Sequence, residues 1–445
     1  MSDDTKIPTP TPAAGHDQTA VEAARAQVAA HETGRDAAGP PVPRSTQIIK
    51  EMFGGSAAIS VLAVLLALVF GGILIVLTDE AVAQASAYFF SRPGDMLAAM
   101  WDAVAGAYSA LFRGSVFNYL RAEDLSVALR PLTETLANAT PLIAAGLGVA
   151  LAFRVGLFNI GGRGQMLIAA AAAGYVGAYI PMPPVIHLIV ALVIGLIGGA
   201  LWGGLVGLLK ARTGAHEVIV TIMLNYIAFY LVSYLLRTPG ALQAPGQNNP
   251  KSGPILDTAQ FPPLLGDQYN LNFGFILVIV ATIYAWYLLN RSALGFRFRA
   301  VGENPNAARV AGMNVERIYV QVMLIAGALV GLAGVYQVLG NFTGGFASGL
   351  DASIGFDAIT VALLGRSRPW GVFFAGILFG GLKAGSYTMQ ASEGIPVDIV
   401  LVVQSFIVLF IAAPPLVRSI FRLPTPDPLF QWRTPKLDRK AEVTK

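Results

Sequence analysis

The sequence predicts an all-α integral membrane protein with about ten transmembrane helices, one of them broken or crossing only half the membrane. Three observations point there. Hydrophobic residues make up 55% of the 445 and charged residues only 13%, against about 25% charged in soluble domains. Mean hydropathy is +0.61. Apolar runs of roughly 20 residues, the length needed to cross about 30 Å of hydrocarbon as a helix, recur through almost everything after residue 55. Cysteine is absent, which excludes disulfides, thiolate metal sites and thiol catalysis.

The elements follow in order. Residues 1–50 are rich in Pro, Ala, Thr, Asp and His and lack a sustained apolar period, so a disordered cytoplasmic tail is expected, with one weak Ala-rich helical patch at 19–31. The membrane domain is expected over 51–417. Its first span, 56–77, exceeds the roughly 7–15 apolar residues of a cleaved signal segment and follows a far longer leader, so it reads as a retained signal anchor. Segment 78–132 holds an amphipathic pattern at 96–112, with Trp101, Tyr108 and Phe112, expected to lie along the outer membrane interface. Spans at 133–153, 164–180, 185–209 and 217–236 come next. Segment 237–271 is dense in Pro, Gly, Asn and Gln and is expected to be irregular and exposed, facing an external binding protein. Spans at 272–289 and 318–339 precede 353–364, which is too short to cross and is expected to be the half-membrane helix. Spans at 371–388 and 397–416 complete the ten, and 418–445 is a basic cytoplasmic tail.

Charge orients these spans. With both termini in the cytoplasm, 23 of the 30 Lys and Arg residues fall on that side; the others are Arg92, Arg113, Arg121, Arg130, Arg237, Lys251 and Lys383. Lys and Arg accumulate in cytoplasmic loops, so a multi-pass protein of the inner (cytoplasmic) membrane in this orientation is expected. The net charge of +4 follows topology and implies no nucleic-acid partner.

Glycines recur at every fourth position in Gly195, Gly199, Gly203 and Gly207, and in the pairs Gly327 with Gly331, Gly376 with Gly380 and Gly381 with Gly385. Small residues at that spacing let helices approach closely in lipid. A different pattern, FRVGLFNIGGRGQ, occupies 153–165 with four glycines in nine residues. Irregular backbone at membrane depth survives where it is buried in protein or lines a wet cavity, which makes Asn159 and Gln165 candidates for a solute pathway; the plain alternative is a cytoplasmic turn. Polar residues within spans add Asn225, Gln337, Asn341 and Asp357 on helices expected to border the half-helix. Gln321 and Gln404 are read as interhelical hydrogen-bonding groups, and Lys383 as a neighbour that neutralises Asp357.

The charged segment 294–318, LGFRFRAVGENPNAARVAGMNVERI, stands between two apolar spans. Asn304 suits a helix N-cap, Pro305 the first helical position, and Gly312 a left-handed stop. A helix of that size is marginal alone in water, so it is expected to be held by its flanking spans or by a partner. The arrangement reads as a cytoplasmic docking element on a permease driven by an ATPase.

The runs FNIGGRGQ (158–165), GFRFRAVGENPNAARVAG (295–312) and GFDAITVALLGRSRPWG (355–371) resemble the permease subunits of bacterial ABC importers of the branched-chain amino acid and simple-sugar group. The nearest resemblance is to nucleoside permeases that work with basic-membrane-lipoprotein type binding proteins, and it covers about 133–415. The resemblance implies inverted repeats within the ten helices, and a coupling role for 303–312 through Glu303, Asn304, Ala307, Ala308, Arg309 and Gly312. It implies as partners a cytoplasmic ABC ATPase, a second permease subunit in a homo- or heterodimer, and an extracytoplasmic substrate-binding lipoprotein. Many relatives carry an acidic residue where this chain has Arg163.

Chemistry of other kinds is not encoded. No Gly-Lys dipeptide occurs, so the phosphate loop Gly-x-x-x-x-Gly-Lys-Ser/Thr is missing and ATP is expected to bind the partner ATPase. No paired carboxylates, nucleophile elbow or His cluster appears, so neither a catalytic nor a metal site nor a cofactor is expected; His16, His31, His187 and His216 read as surface or interface residues. Import of nucleosides by alternating access is the leading expectation, with a ribose-like sugar next. An ion-coupled secondary transporter shares the broken helices and midplane polar groups, but intramembrane carboxylates are scarce.

Overall fold

The computed structural model describes residues 56–422, and the expectations for the 1–50 tail and for residues beyond 422 lie outside the described residues. Residues 59–422 form one compact unit. The chain begins with α1 (Ser56–Thr78), α2 (Glu80–Ser86), capped by Asp79, and α3 (Pro93–Ser115). A one-turn α4 (Leu125–Ala128) precedes α5 (Arg130–Phe153), α6 (Gly162–Tyr179), α7 (Ile186–Thr213) and α8 (Glu217–Leu235). Then come α9 (Gly274–Arg291), the short α10 (Ala293–Glu303) and α11 (Pro305–Val310), and α12 (Val315–Tyr336), which runs into a π-turn at Gln337–Asn341. Last are α13 (Ile354–Leu364), α14 (Pro369–Glu393), α15 (Val397–Ala412) and α16 (Pro414–Ile420).

Each of the ten expected spans coincides with a helix. Seven helices among the described residues are long and apolar enough to cross a membrane, and there are eight if α15 and α16, bent by 95°, count as one span. The remaining two are α6, with 18 residues, and α13, with 11. At about 1.5 Å per residue α13 is roughly 16 Å long, half the thickness of the hydrocarbon. Large apolar side chains stand outward along α1, α7 and α8, among them Leu77, Leu201 and Ile219. Such faces suit lipid, not water.

The glycine stripe sets a helix crossing at backbone contact. A Cβ added at Gly199 would lie 2.5 Å from the Gly327 carbonyl oxygen and 2.8 Å from Gly331 Cα; at Gly203 it would lie 2.5 Å from the Met323 oxygen. The backbones of α7 and α12 therefore touch, which only hydrogen in place of a side chain permits. Gly380 plays the same part between α14 and α5, where an added Cβ would sit 2.6 Å from Ala139 N.

Three expectations are corrected. Helix α3 is not simply an exposed amphipathic helix: Ala107, Ala110 and Gly114 form a small buried stripe against α14, where an added Cβ on Gly114 would collide with Thr388 Oγ1. The Tyr108 hydroxyl also donates to the Leu68 carbonyl on α1. Segment 237–271 is largely irregular as expected, with two isolated bridges and a 3₁₀ turn at Asp257–Ala259, but it is not simply exposed: Leu242, Ile255, Ala259 and Phe261 are buried against the bundle. His187 is likewise buried, its Nδ1 2.7 Å from Thr258 Oγ1 and its Nε2 3.0 Å from the Val176 oxygen, so it pins this segment to α6 and α7.

Candidate functional site

The pathway candidates fall in three places. Asn159, Gln165 and Asn225 come together where 154–161 leads back into the bundle and α6 begins. Asn225 Oδ1 accepts from Gly164 N at 2.8 Å while its amide donates to the Ile160 oxygen at 2.9 Å. Asn159 Oδ1 accepts from Gly161 N at 2.9 Å, and Asn159 and Gln165 exchange amide contacts at 3.3 Å. All three side chains are buried. Asn225 lies about 12 Å along α8 from Glu217, counting about 1.5 Å per residue, so α6 starts well inside the bundle.

The half-helix α13 starts at the same junction. A Cβ on Gly355 would lie 2.4 Å from Arg163 N, and one on Gly162 would lie 2.9 Å from the Gly355 oxygen, so the N-termini of α6 and α13 abut. Two positive dipole ends meet there, and Arg163 adds a formal charge. Asp351 answers it: Arg163 Nε lies 3.1 Å from Asp351 Oδ2, with the Asp351 side chain only 6% exposed, and the guanidinium stacks 4.7 Å from the Phe229 centroid. The sequence reading missed Asp351 and Phe229. Neither belongs to a motif, and the only signal was the lone cation in FNIGGRGQ.

Asp357 stands elsewhere, in the first turn of α13. It lines a cavity of about 540 Å³ between α5, α13, α14 and α15, together with Ser353, Lys383, Tyr387 and Gln404. Asp357 and Lys383 line one space, though no ion pair forms between them among the described residues, and Gln404 borders it too. Phe356, Phe379 and Leu142 supply apolar walls.

Gln337 and Asn341 form the third place. The π-turn that ends α12 sets the Asn341 amide 2.5 Å from Gln337 Oε1. Asn341 also lines a separate polar cavity of about 460 Å³.

The basic knob has the local structure its residues imply. Asn304 Oδ1 accepts from Asn306 N and Ala307 N at 3.0 Å each, Pro305 opens α11, and Gly312 has φ +81°. Helix α10 was not foreseen; it packs Phe298 and Val301 inward, and Gly302 presses on the Arg154 carbonyl. Ala308 is 4% exposed and joins the protein's own core, whereas Val310 is 91% exposed and Glu303, Ala307 and Arg309 face outward. Arg309 pairs with Glu316 at 2.7 Å. Arg154 donates to the Ser367 oxygen at 2.9 Å, and burial with Arg368 and Arg299 close by lowers its pKa, against the pull of Glu303.

Apolar helices that cross at backbone contact, around two helix ends meeting inside the bundle, define a polytopic membrane permease with a re-entrant element. The chain belongs to the family described as the permease component of the branched-chain amino acid transport system, which matches residues 132–412. It is 39% identical over 71% of its length to the guanosine ABC transporter permease protein NupP of Bacillus subtilis, spanning 88% of that protein. It is 35% identical over 63% of its length to the glucose ABC transporter permease protein TsgB13 of Haloferax volcanii (75% of that protein). It is 34% identical over 65% of its length to the nucleoside ABC transporter permease protein NupB of Lactococcus lactis (82% of that protein). A second permease from each of these organisms, NupQ, TsgC13 and NupC, matches at 27%, 26% and 29%. No solved structure matches the chain.

Proposed function

We propose that this chain is one of two unlike permease subunits of an ATP-driven nucleoside importer in the cytoplasmic membrane, with both termini and the basic knob in the cytoplasm. One observation carries the reading: two relatives named for guanosine and nucleosides align with this chain over 88% and 82% of their own length. That cavity is large enough for a nucleoside, since ligand sites run from about 300 Å³ upward. Its donors, acceptors and aromatic walls suit a base and a ribose. The glucose relative favours a second reading, a simple sugar on the same scaffold.

Asp357, Lys383, Ser353 and Gln404 serve as pathway contacts in this reading. Asn159, Gln165 and Asn225 brace the junction that lets α13 begin at mid-bundle, and Arg163 with Asp351 ties the two helix ends together. Energy comes from a separate ATPase docked on the end of α10, at Glu303, and on the exposed face of α11, through Ala307, Arg309 and Val310; Asn304, Gly312 and buried Ala308 hold that face in shape. The paired relatives support an unlike partner, because this chain resembles one member of each pair more than the other.

Uptake competition tests the cargo. Unlabelled adenosine, guanosine or uridine should displace a transported nucleoside label, and charged nucleotides should not. Displacement by glucose or leucine alone rejects the nucleoside reading.

A further inference from the structure

The polar cavity that holds Asn341 lies away from the Asp357 cavity, between the first turns of α5, residues 260–272 and the π-turn. Its volume is about 460 Å³. Its walls carry two carboxylates, Glu134 and Asp267, and the side-chain amides of Asn138, Gln260, Asn270, Asn272 and Asn341, with no Lys, Arg or His. The framework spends amide N–H groups to hold this set. Asn138 donates to the Glu134 carbonyl at 2.9 Å, Asn270 to Glu134 Oε1 at 2.6 Å, Gln260 to the Ile255 oxygen at 2.8 Å, and Asn341 to Gln337 Oε1. What the frame leaves over is mainly oxygen. Acceptors in such number match a solute rich in O–H and N–H donors, and a negative lining disfavours phosphate. The walls are also oriented in advance, which lowers the cost of ordering on binding.

We infer that this bowl is a receiving subsite for a neutral, hydroxyl-bearing solute of nucleoside size, held before it reaches the half-helix. The inference rests on the nucleoside reading for the identity of the solute. Asn341 and Thr343 in its wall flank the start of segment 342–353, which runs through Asp351 to the start of α13. One stretch of chain thus joins the bowl to the junction of helix ends.

The test uses the whole assembly, both permeases with the ATPase, in lipid nanodiscs without binding protein and without nucleotide. Equilibrium binding of tritiated guanosine is measured, and guanosine uptake with binding protein is measured in parallel in proteoliposomes. Glu134→Gln keeps an acceptor for Asn270 but removes the charge, and Asp267→Asn alters an exposed loop residue without touching the core. Each should weaken guanosine binding about tenfold, as expected for one lost charge-assisted hydrogen bond. Adenosine should compete and guanosine monophosphate should not. Guanosine uptake by the wild type with variants that bind as tightly as wild type, or with no wild-type binding in the nanodisc, overturns the subsite and leaves the nucleoside reading standing. Retention of calcium in place of guanosine overturns it as well. Absence of both uptake and binding of nucleosides overturns the cargo reading and this inference with it.

Discussion

Asn225→Leu is the sharpest probe of the junction where α6 begins. The leucine is close to asparagine in size and keeps the helix, but removes both halves of a bridge. Gly164 N loses the acceptor now 2.8 Å away, and the Ile160 oxygen loses the donor at 2.9 Å. Gly164 is buried and Ile160 half-buried; an unsatisfied buried group costs about 1–3 kcal/mol, so the pair is worth at most about 2–6 kcal/mol. Interhelical hydrogen bonds in membranes average about 0.6 kcal/mol, because the unfolded chain in lipid finds other partners, so the loss is expected toward the lower end of that range. Detergent-solubilised protein should therefore unfold several degrees lower, with uptake falling in its maximal rate and not in its KM. A solute contact predicts the reverse, a raised KM on a protein as stable as wild type. Unchanged thermal unfolding with a raised KM would refute the bracing argument and place Asn225 in the pathway.

The other predictions follow from contacts of the same kind. Gly199→Leu should destabilise by about 1–3 kcal/mol or more, because overpacking forces apart backbones now in contact, whereas Gly344→Ala, with open space around it, should leave thermal unfolding unchanged. Arg163→Glu should abolish uptake by setting two carboxylates together at a site where Asp351 is 6% exposed; the loss should lie near the low end of the 3–5 kcal/mol, roughly, for breaking a buried pair, since Arg163 is 28% exposed. Adding Asp351→Arg should restore part of both stability and uptake. Val310→Asp should leave insertion and thermal unfolding intact while removing binding-protein-stimulated ATPase activity, and Ala308→Trp should lower unfolding temperature because that residue faces the core.

What was legible in the sequence was mostly local. The Asn304 cap, Pro305 and the left-handed Gly312 are written in neighbouring residues, and the short length of α13 needs only counting. The glycine stripe announced a close contact on α7, and Gly327 with Gly331 offered the matching surface on α12. Partners distant in sequence were not legible: nothing near Arg163 names Asp351, and nothing in the 96–112 pattern tells a helix packed on α14 from one lying on a bilayer. Lipid and protein neighbours demand the same apolar side chains, so a membrane helix does not declare which face is covered. Ala308 shows the limit from the other side. Its place in a motif suggested a docking contact, while it is buried in the protein's own core and Val310 and its neighbours face outward instead.

The central claim is that this chain moves nucleosides only within an ATP-driven assembly. Proteoliposomes test it directly, by uptake of labelled guanosine with the permease alone, and with the second permease, ATPase, binding protein and ATP together. The account predicts accumulation only in the complete system, insensitive to a protonophore. Accumulation by this chain alone, driven by an ion gradient and abolished by the protonophore, would contradict it.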